Sequence, residues 1–249
     1  MFFGKGEEGM FTYLYALLAG MVFGSFFMLV AVRVPLGASI ITPRSHCYYC
    51  KYVLRPKELI PIISFYIQRG CCTNCKRKIP IIYVAFECIT GSIFLLTVYM
   101  IGIERELIII LSLFSLLLII SVTDYLYMLI PDCILISFAV LLILESVFVQ
   151  LVTWTDSIVG SGVIFLLLYC MQKIYPEGLG GGDIKLLSLL GFIVGVKGVF
   201  IVLFLASCFS LCFFGIGIGL KRIEVRKPIP FGPFISLGAM CYVLAVYSN

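Results

Sequence analysis

The chain has 249 residues, of which 62% are hydrophobic and 12% are charged, and its mean hydropathy is +1.15. Soluble domains are nearer half apolar and a quarter charged, so this composition excludes an ordinary soluble domain and indicates a membrane protein. The net charge of +5 does not indicate nucleic-acid binding, because the basic residues cluster in hydrophilic segments between apolar runs.

The apolar runs predict an all-α, polytopic membrane bundle of about eight transmembrane helices. The first run carries no charge, is long enough to cross a bilayer and has no basic stretch before it. We therefore expect a retained helix and not a cleaved signal peptide. The segment 184–196 is too short to span unless it is tilted or re-entrant. The predicted spans are 11–32, 80–103, 107–123, 133–153, 155–172, 184–196, 198–220 and 231–247.

The hydrophilic stretch 33–79 fixes the predicted topology. It holds nine Lys or Arg residues and a single acid, Glu58, so it should lie in the cytoplasm. Alternating spans place segments 124–132, 173–183 and 221–229 on the same side. When Lys185, just past Asp183, is counted with this side, only Lys5, Arg105 and Lys197 of the 18 basic residues lie outside. The predicted parts are a first transmembrane helix (1–32), a cytoplasmic four-cysteine loop (33–79), a second transmembrane helix (80–103) and a six-helix membrane domain (104–249).

Two C-x2-C pairs in the cytoplasmic loop predict a structural zinc site. The pairs are Cys47 with Cys50 and Cys72 with Cys75, separated by 21 residues. Two such pairs complete a closed tetrahedral site with no open position for substrate. The reducing cytoplasm favours metal over disulfide, and metal binding would supply folding energy to a basic loop with few core residues. His46 and Cys71 are neighbouring residues that we expect not to be ligands.

Two aspartates at the ends of apolar runs form the candidate catalytic pair. Asp124 ends an uncharged run, and Asp183 follows Gly180-Gly181-Gly182 at the start of another helix. Ionisable groups at membrane depth are costly, and these two come from different helices that end at the same face. Two facing carboxyl groups sharing one proton are the working parts of an aspartic protease. Gly180 and Gly182 would let an extended substrate backbone approach closely.

Asp132 is the weaker partner for Asp124. Eight helical residues would separate the two by about 12 Å, which is too far to share a proton. Asp132 follows Pro131 at a helix start, where a carboxylate offsets the helix dipole. Glu87 and Glu145 are the other acids that we expect to be buried. Glu87 lies about two turns into the second helix and can line the same cavity as the two aspartates. We assign no function to Glu145.

Short motifs occur in a fixed order along nearly the whole chain. They are Gly24-Ser25-Phe26, Arg33-x-Pro35, Ser45-His46-Cys47-x-x-Cys50, Ile60-Pro61-x-x-Ser64, Arg69-Gly70, Cys72-x-x-Cys75, Tyr83 with Glu87, Asp124 to Asp132, Gly180 to Leu186 and Pro230-Phe231-Gly232-Pro233. In this order they closely resemble the motifs of the bacterial type IV prepilin leader peptidases, a family of GxGD-type membrane aspartic proteases that also act as N-methyltransferases.

The resemblance implies an aspartic endopeptidase with Asp124 and Asp183 as its catalytic pair. The implied substrates are prepilins or pseudopilins with a short basic leader, cut at a Gly-Phe-type junction on the cytoplasmic side of the bacterial inner membrane. The second implied activity is methylation of the new N-terminus from S-adenosylmethionine, for which we expect Glu87 to bind the cofactor. Met28 and Ile82 stand where the family commonly has Asn and Arg, so we expect methyl transfer to be the separate, slower step.

Four alternative functions keep some of these features. An acid-lined membrane transporter would place acids inside a helical bundle but would not need the cysteine loop. A membrane assembly factor with a zinc loop would need neither aspartate. The remaining alternatives concern the enzyme itself: a peptidase lacking methyl transfer, or a methyltransferase that leaves leaders uncut. The sequence does not identify the individual pilin or the oligomeric state.

Overall fold

The computed structural model describes residues 5–47, 49–175, 180–219 and 230–248. Regular structure in these residues is helical, with β pairing limited to two isolated bridges. The all-α class is therefore confirmed. The predicted cytoplasmic segment 221–229 and residues 176–179 lie outside the described residues.

Several helices are long and apolar enough to make this a multi-pass membrane protein. Two others, Asp132–Phe148 and Gly232–Tyr247, have 17 and 16 residues. Each is about 25 Å long at ~1.5 Å per residue, a little short of a ~30 Å hydrocarbon core. The total of eight spans therefore stays a prediction. Among the described residues, the five helices that meet the length and hydropathy criteria are Gly9–Leu36, Ile81–Ile101, Glu106–Tyr127, Trp154–Ile174 and Gly181–Gly217.

The chain folds as two compact units, Met1–Gly102 and Ile103–Asn249. The first unit contains α1 (Lys5–Arg33), the short helix α2 (Ile63–Ile67) and α3 (Ile81–Ile101). The functional division at residues 32, 79 and 103 stays a prediction, because compactness does not assign a role to each part.

Small residues let α1 and α3 pack closely. A Cβ on Gly20 would lie 2.8 Å from the Cα of Gly91, and one on Gly91 would lie 3.0 Å from the backbone oxygen of Leu17. Helices in lipid gain much of their association energy from such close van der Waals contact. The α1–α3 pair is thus a rigid support for the loop that connects it.

The second unit is built around α4 (Glu106–Tyr127). Of the candidate spans, α4 is the most buried, because 61% of its apolar stretch lies inside the protein. It packs against α5 (Asp132–Phe148) and α8 (Gly232–Tyr247). The long element α7 (Gly181–Gly219) packs against α6 (Trp154–Ile174) and α8. Near the end of this enclosed helix, Thr123 and Asp124 are buried.

The element α7 is broken at Gly195, which has the non-helical backbone angles φ 73° and ψ −179°. Only glycine adopts this conformation readily. The sequence predicts two segments, 184–196 and 198–220, and the break falls close to that boundary. The break divides the 39 residues of α7 into two shorter helical parts, 181–194 and 196–219.

Asp156 supports the break from a neighbouring helix. Its carboxylate accepts a hydrogen bond from the N–H of Val196 at 3.3 Å, at the start of the second part of α7. Its own N–H donates to the hydroxyl of Thr153, the N-cap of α6. One carboxylate therefore lies at two helix N-termini, where the helix dipoles stabilise negative charge. Any side chain at Gly195 would overlap this carboxylate.

Candidate active site and zinc loop

Asp124 lies in the last turn of α4 and is only 7% exposed. Its Oδ2 accepts a hydrogen bond from the backbone N–H of Gly232 at 2.7 Å. Gly232 opens α8, so this N–H belongs to the positive end of a helix dipole. A Cβ on Gly232 would lie 2.8 Å from the same oxygen, which explains why glycine stands there. The structure thus provides a desolvated carboxylate with one fixed hydrogen-bond donor.

Asp183 lies in the first turn of α7, and its N–H donates to the backbone oxygen of Gly180 at 3.1 Å. Its carboxyl group is close enough to that of Asp124 for a direct electrostatic interaction. The end of α4 and the start of α7 therefore bring together the two aspartates that the sequence singles out. Their roles as a catalytic pair remain a proposal.

The two predicted substrate glycines have different surroundings. Gly180 is exposed, and a Cβ on it would lie 3.1 Å from Oδ2 of Asp183. A Cβ on Gly182 would instead lie 2.8 Å from Cβ of Ile130, so packing alone requires glycine at this position. Of the two, Gly180 is better placed for a substrate backbone to approach the carboxyl groups.

Asp132 makes an exposed ion pair. Its two carboxylate oxygens lie 2.7 and 2.8 Å from Nζ of Lys185, which joins the start of α5 to the start of α7. The sequence explains Asp132 only by the helix dipole and misses this partner, 53 residues away. It also misses the contact of Gly232 with Asp124. The only sequence signal for that contact is the Pro-Phe-Gly-Pro motif that contains Gly232.

The four predicted zinc ligands form one cluster. The sulfur atoms of Cys47, Cys50, Cys72 and Cys75 all lie within 4.8 Å of one another. The Sγ atoms of Cys47 and Cys75 are 3.8 Å apart, and those of Cys50 and Cys72 are 3.9 Å apart. Four thiolates at such separations fit the tetrahedral coordination of Zn²⁺.

The two cysteine pairs have the same backbone geometry. The N–H of Lys51 donates to the oxygen of Cys47, and that of Lys76 donates to the oxygen of Cys72, both at 3.0 Å. Both lysines have positive φ angles, 58° and 57°. Such tight turns point two sulfur atoms at one centre, and their repetition gives the loop an internal symmetry.

This symmetry explains why two neighbouring residues stay outside the cluster. His46 forms an isolated bridge with Val53, and Cys71 forms the corresponding bridge with Lys78. Each precedes the first cysteine of its pair by one residue. The position of Cys71 is therefore equivalent to that of His46 and not to that of a ligand.

Glu58, the single acid of the loop, connects its middle to the second cysteine pair. The hydroxyl of Thr73 donates to Glu58 at 2.6 Å, and the N–H of Arg55 donates to it at 2.7 Å. These two hydrogen bonds lower the pKa of Glu58 below its usual value. The carboxylate is therefore ionised at neutral pH and holds the segment between the two pairs in place.

Glu87 is a buried residue of α3 that contacts the loop. Its Oε2 accepts a hydrogen bond from the N–H of Ile62 at 3.0 Å, and the Ser25 hydroxyl donates to it as well. Ile62 has an unfavourable φ of 60° for a β-branched residue, which indicates that the surrounding contacts hold this turn. Glu87 therefore fastens the loop to the membrane helices.

A cavity of about 370 Å³ lies beside Glu87. This volume is within the ~300–1,000 Å³ range of small-molecule sites. Of the two positions at which the sequence departs from the family pattern, Met28 lines the cavity and Ile82 is not among its lining residues. Arg33 and Arg77 do line it, so the guanidinium that the sequence lacks at position 82 is available from other positions.

Two protein families match most of the chain. The Bacterial Peptidase A24 N-terminal domain matches residues 18–101, and the Type IV leader peptidase family matches residues 111–215. No solved structure matches the chain.

Curated relatives match over most of their length. A prepilin leader peptidase/N-methyltransferase of Bacillus subtilis is 38% identical over 221 residues, which are 89% of each chain. One of Pseudomonas putida is 27% identical, covering 92% of this chain and 89% of the relative. A type 4 prepilin-like proteins leader peptide-processing enzyme of Escherichia coli is 28% identical, covering 93% and 94%. The chain therefore belongs to the type IV leader peptidase family and is a multi-pass membrane peptidase.

Proposed function

We propose that Asp124 and Asp183 are the catalytic pair of an aspartic endopeptidase that removes the leader of type IV prepilin-like proteins. The observation that carries this proposal is the meeting of two carboxyl groups from different helices, one of them desolvated and bound to a helix N-terminus. The substrate class follows the names of the relatives.

The hydrogen bond to Asp124 suggests which carboxyl group acts as the base and which acts as the acid. The N–H of Gly232 favours the ionised form of Asp124, so the shared proton resides on Asp183. Asp124 takes a proton from water, whose oxygen attacks the scissile carbonyl carbon, while Asp183 gives its proton to the carbonyl oxygen. When the C–N bond then breaks, Asp124 returns its proton to the leaving amine and Asp183 recovers one from the collapsing diol.

The predicted topology places this reaction at the cytoplasmic face of the bacterial inner membrane. The support is the distribution of basic residues, which concentrates positive charge in segment 33–79. A substrate with a short basic leader before an apolar helix, cut at a Gly-Phe-type junction, would bring its cleavage site to this level of the bilayer.

A second activity, N-methylation of the new N-terminus, is supported by the cavity at Glu87. S-adenosylmethionine has a sulfonium cation and an amino-acid end, and it supplies an electrophilic methyl group. The Glu87 carboxylate suits its cationic groups, and the Arg33 guanidinium suits its carboxylate. Aromatic side chains in the lining, Phe65 and Tyr83, can pack against the rest of the molecule.

The four-cysteine cluster would hold Zn²⁺ as a structural ion. Its four donors fill a tetrahedral site, so the metal would fold the loop and leave the peptide bond to the aspartates.

Incubation of the purified protein with a prepilin-like peptide, followed by mass spectrometry, tests both activities together. We expect loss of the leader without S-adenosylmethionine, and a methyl gain on the new N-terminus only when it is added. An intact peptide under both conditions would overturn the proposed peptidase.

A further inference from the structure

The short helix α2 presents an apolar face to the surroundings of the protein. Ile63, Tyr66 and Ile67 are 54%, 78% and 74% exposed. Their spacing, i, i+3 and i+4, places them on one side of a helix. Phe65 points the other way, lines the cavity beside Glu87 and contacts Gly70. The outer face is thus contiguous and apolar, although it belongs to the most hydrophilic stretch of the chain.

The hydrogen bond between Ile62 and Glu87 indicates the level along the membrane helix α3 at which α2 begins. Glu87 lies within the candidate span Ile81–Ile101, six residues after its start. At ~1.5 Å per residue this is about 9 Å along the helix. Ile62 is the residue immediately before α2. The start of α2 therefore lies beside the first two turns of a membrane helix and not out in the aqueous phase.

Charge around α2 complements a phospholipid surface. Segment 33–79 carries nine basic residues and one acid, and both of its ends continue into membrane helices. Arg55, Lys57 and Arg69 flank the apolar face in sequence and are exposed. Basic residues beside an apolar face with an aromatic residue are the features of helices that lie in the membrane interface.

We propose that α2 is an interfacial membrane anchor, whose face formed by Ile63, Tyr66 and Ile67 inserts at the boundary between lipid headgroups and acyl chains. This contact holds the four-cysteine loop against the bilayer. Its partner is a lipid surface with anionic headgroups, and the proposal does not depend on the chemistry that the protein catalyses. It also explains why a hydrophilic loop exposes two isoleucines and a tyrosine on one side.

Tryptophan fluorescence with brominated lipids tests this anchor in the full-length protein. The single native tryptophan is replaced first, with Trp154→Phe, and Ile67→Trp then places one reporter on α2. The matched control is Val53→Trp. Val53 is 49% exposed and forms a bridge with His46 beside the first cysteine pair. The proteins are reconstituted in vesicles of phosphatidylcholine and phosphatidylglycerol, with bromine at shallow or deep acyl positions.

We expect shallow bromine to quench the reporter at position 67 several-fold more strongly than deep bromine, and more strongly than it quenches the reporter at position 53. Equal, weak quenching at both positions would overturn the proposal. Quenching at position 67 that develops only after a peptide substrate is added would also overturn it, because α2 would then be a peptide-docking surface. If Ile67→Trp does not fold, as zinc content reports, Tyr66→Trp at the most exposed residue of the face gives the same reading.

Discussion

Both units place a carboxylate near the end of an apolar helix and bind it to a distant backbone N–H. In the first unit Glu87 accepts from Ile62, and in the second unit Asp124 accepts from Gly232. The difference lies in the other neighbours. Glu87 borders a cavity of about 370 Å³, whereas Asp124 interacts with a second carboxyl group. The same type of hydrogen bond therefore lies in two different surroundings, and the neighbouring groups decide what a buried acid can do.

The largest expected effect concerns the loop of the first unit, whose fold we propose to depend on zinc. Cys72→Ser should abolish zinc binding and expose the loop to protease, because three thiolates leave the site open. Elemental analysis of the purified protein measures the zinc, with one ion per chain expected before substitution. Cys71→Ser is the matched control and should retain the metal. If Cys72→Ser retained zinc and Cys71→Ser lost it, the fourth ligand would be Cys71 and not Cys72.

The contact between Gly232 and Asp124 is specific to the second unit. In Gly232→Ala, the new methyl group would lie 2.8 Å from Oδ2 of Asp124 and displace it. A displacement of this kind should reduce leader cleavage by about 10²-fold while methyl transfer to an already cleaved peptide is unaffected. Gly162→Ala is the control, because a Cβ there meets nothing within 4 Å. Wild-type cleavage rates in Gly232→Ala would show that the position of Asp124 is unimportant.

The break in α7 should be a matter of stability. Gly195→Ala combines an unfavourable backbone conformation with overlap on Asp156, so we expect a loss of about 1–3 kcal/mol in the free energy of unfolding. Thermal unfolding in detergent measures this loss. Gly215→Ala, in the same helix with open space around it, should be neutral or slightly stabilising. If the two variants unfold at the same temperature, the break does not need glycine.

The smallest effect should come from Glu87→Gln. Glutamine keeps an acceptor for the N–H of Ile62 but removes the charge proposed to face the cofactor. Methyl gain should fall by about tenfold, as expected for the loss of an interaction worth ~1.4 kcal/mol, while leader removal continues. Both are read on one peptide by mass spectrometry. Unchanged methyl gain would restrict Glu87 to fastening the loop.

Local sequence predicted some of these features better than others. The two C-x2-C pairs need only their own spacing to point four thiolates at one centre, so their cluster follows from the sequence. The apolar runs likewise predict where the helices lie, although α1 begins at Lys5 and not at residue 11, and α5 ends at Phe148 and not at residue 153. The sequence predicts the break at Gly195 only as a boundary between two segments, because Asp156 binds the N–H of Val196 from a position 40 residues away.

The hydrogen bond that sets the surroundings of Asp124 could not be predicted from local patterns. Gly232 is 108 residues from Asp124, and the contact exists only because α8 packs against α4. The link from Glu87 to Ile62 has the same origin, since it crosses from a membrane helix to a loop. Sequence motifs identify the proposed functional carboxyl groups. Tertiary packing determines which backbone N–H groups donate to them and how exposed they are.

The central claim is that Asp124 and Asp183 act as one catalytic unit. Leader removal is measured by mass spectrometry for Asp124→Asn, Asp183→Asn and the double variant, each checked for folding by its zinc content. Each single substitution should reduce cleavage by about 10³-fold or more, and the double variant should be little worse than either one. Asp132→Asn, which removes only an exposed ion pair, should lose far less. Substantial cleavage by either single variant, or losses that multiply in the double variant, would contradict a shared catalytic role.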